Sequence, residues 1–173
     1  MSLSTFKAAC RLAYDNEEYI SIGGGEPTLH PQFEEFLGLA VLYSAESPPW
    51  LVTNGSNTEI SLRLAQLADA GKIDARLSQD EYHDPIDCDV VEAFTAINAI
   101  HNTTDGREPL RAGRAIELVE GGPLACPCED VFVRPSGGIY QCGCPTSPKI
   151  GTVLEGYETE VSGECYKTIK KEE

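Results

Sequence analysis

With 173 residues, 41 % of them hydrophobic, the chain is long enough for a buried core, and its formal charge of −15 sets it against polyanions. No basic stripe offsets that charge, so nucleic-acid phosphates and anionic membrane surfaces are excluded as partners. The longest apolar run, 37–43, is too short to span a bilayer, and the N-terminus has no apolar signal core, so a cytoplasmic protein is expected.

Phe6, Ala9, Cys10, Ala13 and Tyr14 recur at helical spacing and predict a first helix. A short apolar strand over 19–22 (Tyr19, Ile20, Ile22) runs straight into Gly23-Gly24-Gly25-Glu26-Pro27. Phe33, Phe36, Leu37, Ala40 and Val41 mark a second helix, ended by Ser47-Pro48-Pro49. The strand over 50–53 begins Trp50-Leu51-Val52 and closes in Thr53-Asn54-Gly55. Ser56 followed by Glu59 reads as a capping box for a third helix carrying Ile60, Leu64, Leu67 and Ala68, which stops at Gly71. A third strand covers 74–78. Asp87 caps a fourth helix with Val90, Val91, Phe94 and Ile97 on one side. Residues 102–112 read as a polar connection and 114–118 as one more strand, while 168–173 form a charged, fraying tail.

Strand and helix thus alternate three times at short spacing, which predicts a parallel sheet with crossover helices. In such units the C-terminal strand ends open on one side. Three polar ends would share that rim: Gly24-Gly25-Glu26, Thr53-Asn54-Gly55 and Ser78-Gln79-Asp80. Glycine lets a ligand come close to the main chain, and proline fixes the exit of the turn. The plainer readings are a glycine-rich βα turn, an ordinary Thr-Asn-Gly turn, and a solvated acidic loop over 80–84. His30 and His101 read as surface or core histidines.

Gly24-Gly25-Glu26-Pro27 resembles the glycine-glycine-glutamate-proline motif of radical S-adenosylmethionine (SAM) enzymes, which ends the second barrel strand and holds the methionyl amino group of SAM. Thr53-Asn54-Gly55 and Ser78-Gln79-Asp80 are similar to strand ends that contact SAM in many members. The resemblance implies Gly24, Gly25, Glu26, Pro27, Thr53, Asn54, Ser78 and Asp80 as cofactor-binding residues.

Seven cysteines stand at 10, 88, 126, 128, 142, 144 and 165. Cys10 and Cys88 lie in helical stretches and read as small core residues. Cys126 and Cys128 precede Val131-Phe132-Val133-Arg134, Pro135-Ser136-Gly137-Gly138 is a hairpin turn signal, and Ile139-Tyr140-Gln141 returns to Cys142 and Cys144. The hairpin over 131–141 therefore brings two cysteine pairs to one end, where thiolates can hold zinc or a four-iron cluster. This segment, with Gly113-Arg114-Ala115 before it and Ile150-Gly151-Thr152-Val153 after it, resembles the auxiliary-cluster extension of radical SAM proteins called SPASM, or twitch when short. The resemblance implies Cys126, Cys142 and Cys165 as ligands to an auxiliary [4Fe-4S] cluster or zinc, with Cys128 or Cys144 as the fourth. It also implies a peptide or protein substrate.

The Cys-x3-Cys-x2-Cys loop that defines radical SAM catalysis is not found upstream of Gly23, where Cys10 is the one cysteine. The expected fold is α/β: a partial (β/α) barrel of parallel strands over 1–120, with a small cysteine-rich β-hairpin extension over 121–173. The expected function is that of a radical SAM-type oxidoreductase or maturase, as a fragment or a shortened relative, that does not cleave SAM as the chain stands. The alternatives are a non-catalytic zinc or iron–sulfur module on a barrel remnant, and an unrelated α/β protein with a zinc-ribbon-like tail.

Overall fold

Alternating burial along short strands and one apolar stripe per helix build the architecture. The computed structural model describes residues 1–44, 47–79, 84–102, 131–143 and 147–158. Asp80, Cys126, Cys128, Cys144, Cys165 and the strand expected over 114–118 lie outside the described residues. The chain divides into two compact units, Cys10–Gly106 and a second that joins Met1–Ala9 to Arg107–Glu173.

The first unit carries a parallel four-stranded sheet in the order β1-β2-β3-β4, with β1 Ser21–Ile22, β2 Trp50–Thr53, β3 Asp74–Gln79 and β4 Ile100–Asn102. Sequence order and spatial order coincide, as short βα units dictate. One face of the sheet is apolar: Ile22, Leu51, Ala75 and Leu77 are buried, and buried Thr53 joins them at the strand end. Side chains alternate across a strand, so Val52 and Arg76 share the other, half-exposed face. There Arg76 pairs with Asp74 at 2.8 Å and reaches the Asn98 carbonyl at 3.3 Å.

Three helices follow the strands: α2 (Phe33–Tyr43), α3 (Thr58–Asp69) and α4 (Cys88–Ala96), while α1 (Leu3–Asp15) precedes β1. Helix α3 packs on β3 and on α4, and α4 packs on β3 and β4. Phe94, Leu64 and Val90 are fully buried. The cap of α3 differs from the sequence expectation. Ser56 donates its N–H to Asn54 Oδ1 at 2.9 Å and so belongs to the turn, while Asn57 Oδ1 accepts from Ile60 N at 3.3 Å and caps the helix. Asp87 caps α4, as its position before the apolar stripe predicts, by accepting from Asp89 N at 3.0 Å. Cys88 is exposed in the first turn of α4 and is not a core residue, because Val90 and Phe94 occupy the buried side. Strand β4 was not expected and ends at residue 102, where the expected connection begins. It pairs Leu77 with Ile100 and Ser78 with His101.

The second unit carries an antiparallel sheet in the order β5-β6-β7-β8: β5 Phe132–Val133, β6 Gly138–Tyr140, β7 Lys149–Thr152 and β8 Gly156–Tyr157. The hairpin expected over 131–141 is its first half, closed by the Gly137 N–H on the Arg134 carbonyl at 2.8 Å and by Arg134 N on the Gly138 carbonyl at 2.9 Å. Arg134 lies 3.7 Å above the Tyr140 ring, a cation–π contact that stiffens the hairpin. Ile139 is fully buried. No helix among the described residues is long and apolar enough to cross a membrane.

Cys10 is 2 % exposed, and burial pushes its thiol up to about 12. The unfolded chain would ionise this thiol near its ordinary value while the folded chain would not, so the unfolded state binds fewer protons between the two. Stability falls as pH rises from about 9 towards 12, by up to roughly 1.4 kcal/mol per pH unit from this group. Urea denaturation across that range shows a steeper decline for the wild type than for Cys10→Ala.

Candidate functional site at the strand ends

Glu26 organises the C-terminal rim of the first unit. Its Oε1 accepts from Thr28 N at 3.1 Å, Thr28 Oγ1 at 2.6 Å and Thr53 Oγ1 at 2.8 Å, and its Oε2 accepts from Asn54 N at 2.7 Å. Every partner donates, and a carboxylate, which offers acceptors alone, is the matching group. The two threonine hydroxyls belong to side chains 2 % and 0 % exposed, so they are orphaned if the carboxylate is removed. The clasp thus ties the end of β1 to the end of β2, over a sequence separation of 27 and 28 residues.

Each neighbour of the clasp is committed in turn. Thr53 Oγ1 donates to Glu26 and accepts from Gly55 N at 3.1 Å. Pro27 opens a single 3-10 turn, Pro27–Leu29, whose first donor Glu26 satisfies. Gly55 is buried with φ +75, and a Cβ there would stand 2.7 Å from Ile86 Cγ2 and 3.0 Å from Leu77 Cδ1. Any side chain there is strained in its backbone and crowded by both neighbours.

The glycine loop is different in kind. Gly23, Gly24 and Gly25 are exposed, and a Cβ at any of them would meet nothing within 4 Å. Only Gly24, at φ +137, has a backbone that demands glycine. Main-chain groups with open space beside them, at the end of a parallel strand, are where α/β folds admit a ligand. Of the residues expected on this rim, the structure therefore brings Gly24, Gly25, Glu26, Pro27, Thr53 and Asn54 together, and Ser78 stands near the end of neighbouring β3. Glu26 is a tie between strands, with both oxygens occupied. His101, paired in register with Ser78, sits on the same sheet face near the end of β4. Periodicity gave no signal for it, since β4 is three residues long.

In the second unit Cys142 follows β6 at the hairpin base, half-buried, with its backbone N–H on Ser147 Oγ at 3.0 Å. The other four thiols expected there lie outside the described residues. Elsewhere Asp87, Cys88 and Asp89 have ligand atoms within 4.8 Å of one another, all exposed. Asp89, by its charge and by accepting a hydrogen bond from the thiol, and then Asp87 push the Cys88 thiol up. Capping of α4 accounts for the placement of Asp87.

Replacing Glu26 with Ala orphans the Thr28 and Thr53 hydroxyls and frees the two strand ends. The expected loss is about 1.5–3 kcal/mol in urea denaturation, the range for hydrogen bonds to a charged group. Glu26→Gln, which keeps the shape but offers one acceptor oxygen, is expected to fall between Ala and the wild type.

Comparison with known proteins returned no match to any family model, curated protein or solved structure.

Proposed function

We propose that the rim around Gly24, Gly25 and Asn54 is a small-molecule site of the radical SAM type, in a fragment or shortened relative of a radical SAM oxidoreductase or maturase. The observation that carries this reading is the open glycine loop at the end of β1, clasped by Glu26 to the Thr53-Asn54 end of β2. Four parallel strands in chain order suit the start of a (β/α) barrel. In this reading the main chain of Gly24 and Gly25 takes the methionyl amino group, the groups at Thr53, Asn54, Ser78 and Asp80 line the remainder of the site, and Glu26 with Pro27 fixes the loop.

SAM supplies radical chemistry only when a reduced iron–sulfur cluster donates an electron to it. Cys10, the one cysteine before Gly23, is buried in α1 with its thiol raised to about 12, which does not fit a cluster ligand. In this reading the described rim contributes to SAM binding, and Cys10 supplies no cluster ligand. Peptide or protein substrates remain the expectation for the family type.

The second reading is a zinc or iron–sulfur binding module, in which Cys126, Cys142, Cys165 and one of Cys128 and Cys144 would hold the metal. The hairpin β5–β6 favours it, because it delivers Cys142 to the hairpin base. Such a centre would stiffen a segment with few apolar residues of its own.

Titration of the protein with SAM, followed by two-dimensional amide NMR, is expected to shift the Gly24, Gly25 and Asn54 resonances with a dissociation constant on the order of 1 mM. Gly24→Val, strained at φ +137, is expected to abolish the shifts. Shifts spread over both units, or none at saturating SAM, overturn the first reading.

Metal analysis of anaerobically prepared protein is expected to find one zinc or one four-iron cluster per chain, lost in Cys142→Ser while the parallel sheet stays folded. Full metal content in that variant overturns the second reading.

A further inference from the structure

We propose that Asn54-Gly55 is a latent deamidation site, kept in its amide form by the Glu26 clasp. This inference rests on the clasp and not on any ligand at the rim. The chain has asparagine at 16, 54, 57, 98 and 102, and Asn54 alone is followed by glycine. A following glycine leaves its own nitrogen the least hindered approach to the asparagine side chain. In the reaction the Gly55 nitrogen gives up its proton to base and bonds to Asn54 Cγ. The Cγ–Nδ2 bond breaks and ammonia leaves. Water then opens the resulting succinimide at either carbonyl. One opening yields aspartate, the other isoaspartate, whose main chain runs through Cγ. Ammonia departs and water enters, with no change of oxidation state.

The folded rim opposes each step. The Gly55 N–H that must be lost is held on Thr53 Oγ1 at 3.1 Å, and that hydroxyl is itself held by Glu26. Asn54 Oδ1 accepts from Ser56 N at 2.9 Å, which fixes the carboxamide in its turn. Asn54 N donates to Glu26 Oε2 at 2.7 Å, which fixes the main chain on the other side. Gly55 is also buried, with Ile86, Leu77 and Val90 crowding the position a Cβ would take. Ring formation therefore requires the clasp to open first.

The isoaspartate product cannot close it again. Isoaspartate lengthens the main chain between the nitrogens of 54 and 55, which moves one donor off Glu26 or the other off Thr53. Aspartate keeps the length of the main chain and adds one negative charge at residue 54. The isoaspartate branch is a one-way loss of the rim, and the clasp sets the rate of modification.

The test is peptide mapping by mass spectrometry of the full chain, incubated at mildly alkaline pH well below its melting temperature. The other four asparagines serve as internal references. Folded wild type is expected to convert Asn54 at least about tenfold more slowly than the same protein unfolded in urea. Glu26→Gln and Thr28→Val, which loosen the clasp and leave the Asn54-Gly55 sequence unchanged, are expected to speed conversion about tenfold while circular dichroism still reports a folded chain. Thr53→Ser keeps the hydroxyl and is expected to match the wild type. Should a loosened variant fail to fold, the wild-type comparison and Thr53→Ser still decide. Equal rates in folded and unfolded wild type, or folded Glu26→Gln and Thr28→Val no faster than wild type, overturn the proposal.

Discussion

A single carboxylate holds the strand ends of the first unit in place. Glu26 collects the hydroxyls of Thr28 and Thr53 and the main-chain nitrogens of Thr28 and Asn54. Strand β1 is only two residues long and meets its neighbour through two register pairs, so its own ladder is a weak anchor. The clasp supplies what the ladder lacks. It also explains why the turn after β2 carries threonine and glycine in that order. Thr53 must donate towards Glu26 and accept from residue 55, and residue 55 must leave room for Ile86 and Leu77.

One consequence is a division of labour along four successive residues. Gly24 and Gly25 face open space and have no side chain to fill it, whereas Glu26 and Pro27 are spent on geometry. A motif of this kind is usually read by its acid, because carboxylates bind metals and move protons. Here both oxygens of the acid are occupied by protein donors. The chemistry on offer to a ligand is main-chain chemistry, and the acid decides where the main chain stands.

Much of the first unit was legible in the sequence because its signals are local. Helical spacing of Phe33, Phe36, Leu37 and Ala40 marks α2, and all four are buried. Alternation in Asp74-Ala-Arg-Leu-Ser marks β3 and its two faces. Failures came where a longer-range contact or a competing turn decides. Ser56 and Glu59 have the spacing of a capping box, but the Asx turn from Asn54 captures Ser56 N and moves the cap to Asn57. Cys88 is apolar enough for a core, yet the phase of α4 is set by Val90 and Phe94. Strand β4 exists because Leu77 N finds the Ala99 carbonyl and Ile100 finds Leu77 in register, and no periodicity over three residues announces that. In the second unit the hairpin turn was legible from Pro135-Ser136-Gly137-Gly138, while β7 and β8, four and two residues long, which complete its sheet in chain order, were not. At the rim, the grouping of Gly24 to Pro27 with Thr53 and Asn54 could be read from strand order. That Glu26 serves the fold could not, since its partners lie up to 28 residues away.

The two candidate chemistries are housed separately. The glycine rim belongs to Cys10–Gly106, and Cys142 belongs to the unit built from Met1–Ala9 and Arg107–Glu173. Their physical demands also differ. The rim is preorganised by protein hydrogen bonds alone, so its shape does not wait for a metal. The hairpin base carries Cys142 beside a sheet whose fully buried hydrophobic residue is Ile139 among those described, so an ion bound there would contribute directly to folding. If the second unit holds a metal, its loss would therefore soften that unit and leave the Glu26 clasp intact, and loss of the clasp would leave metal content unchanged. If the two responses prove inseparable, the chain works as one coupled site, and treating it as a scaffold with an attached metal module is wrong.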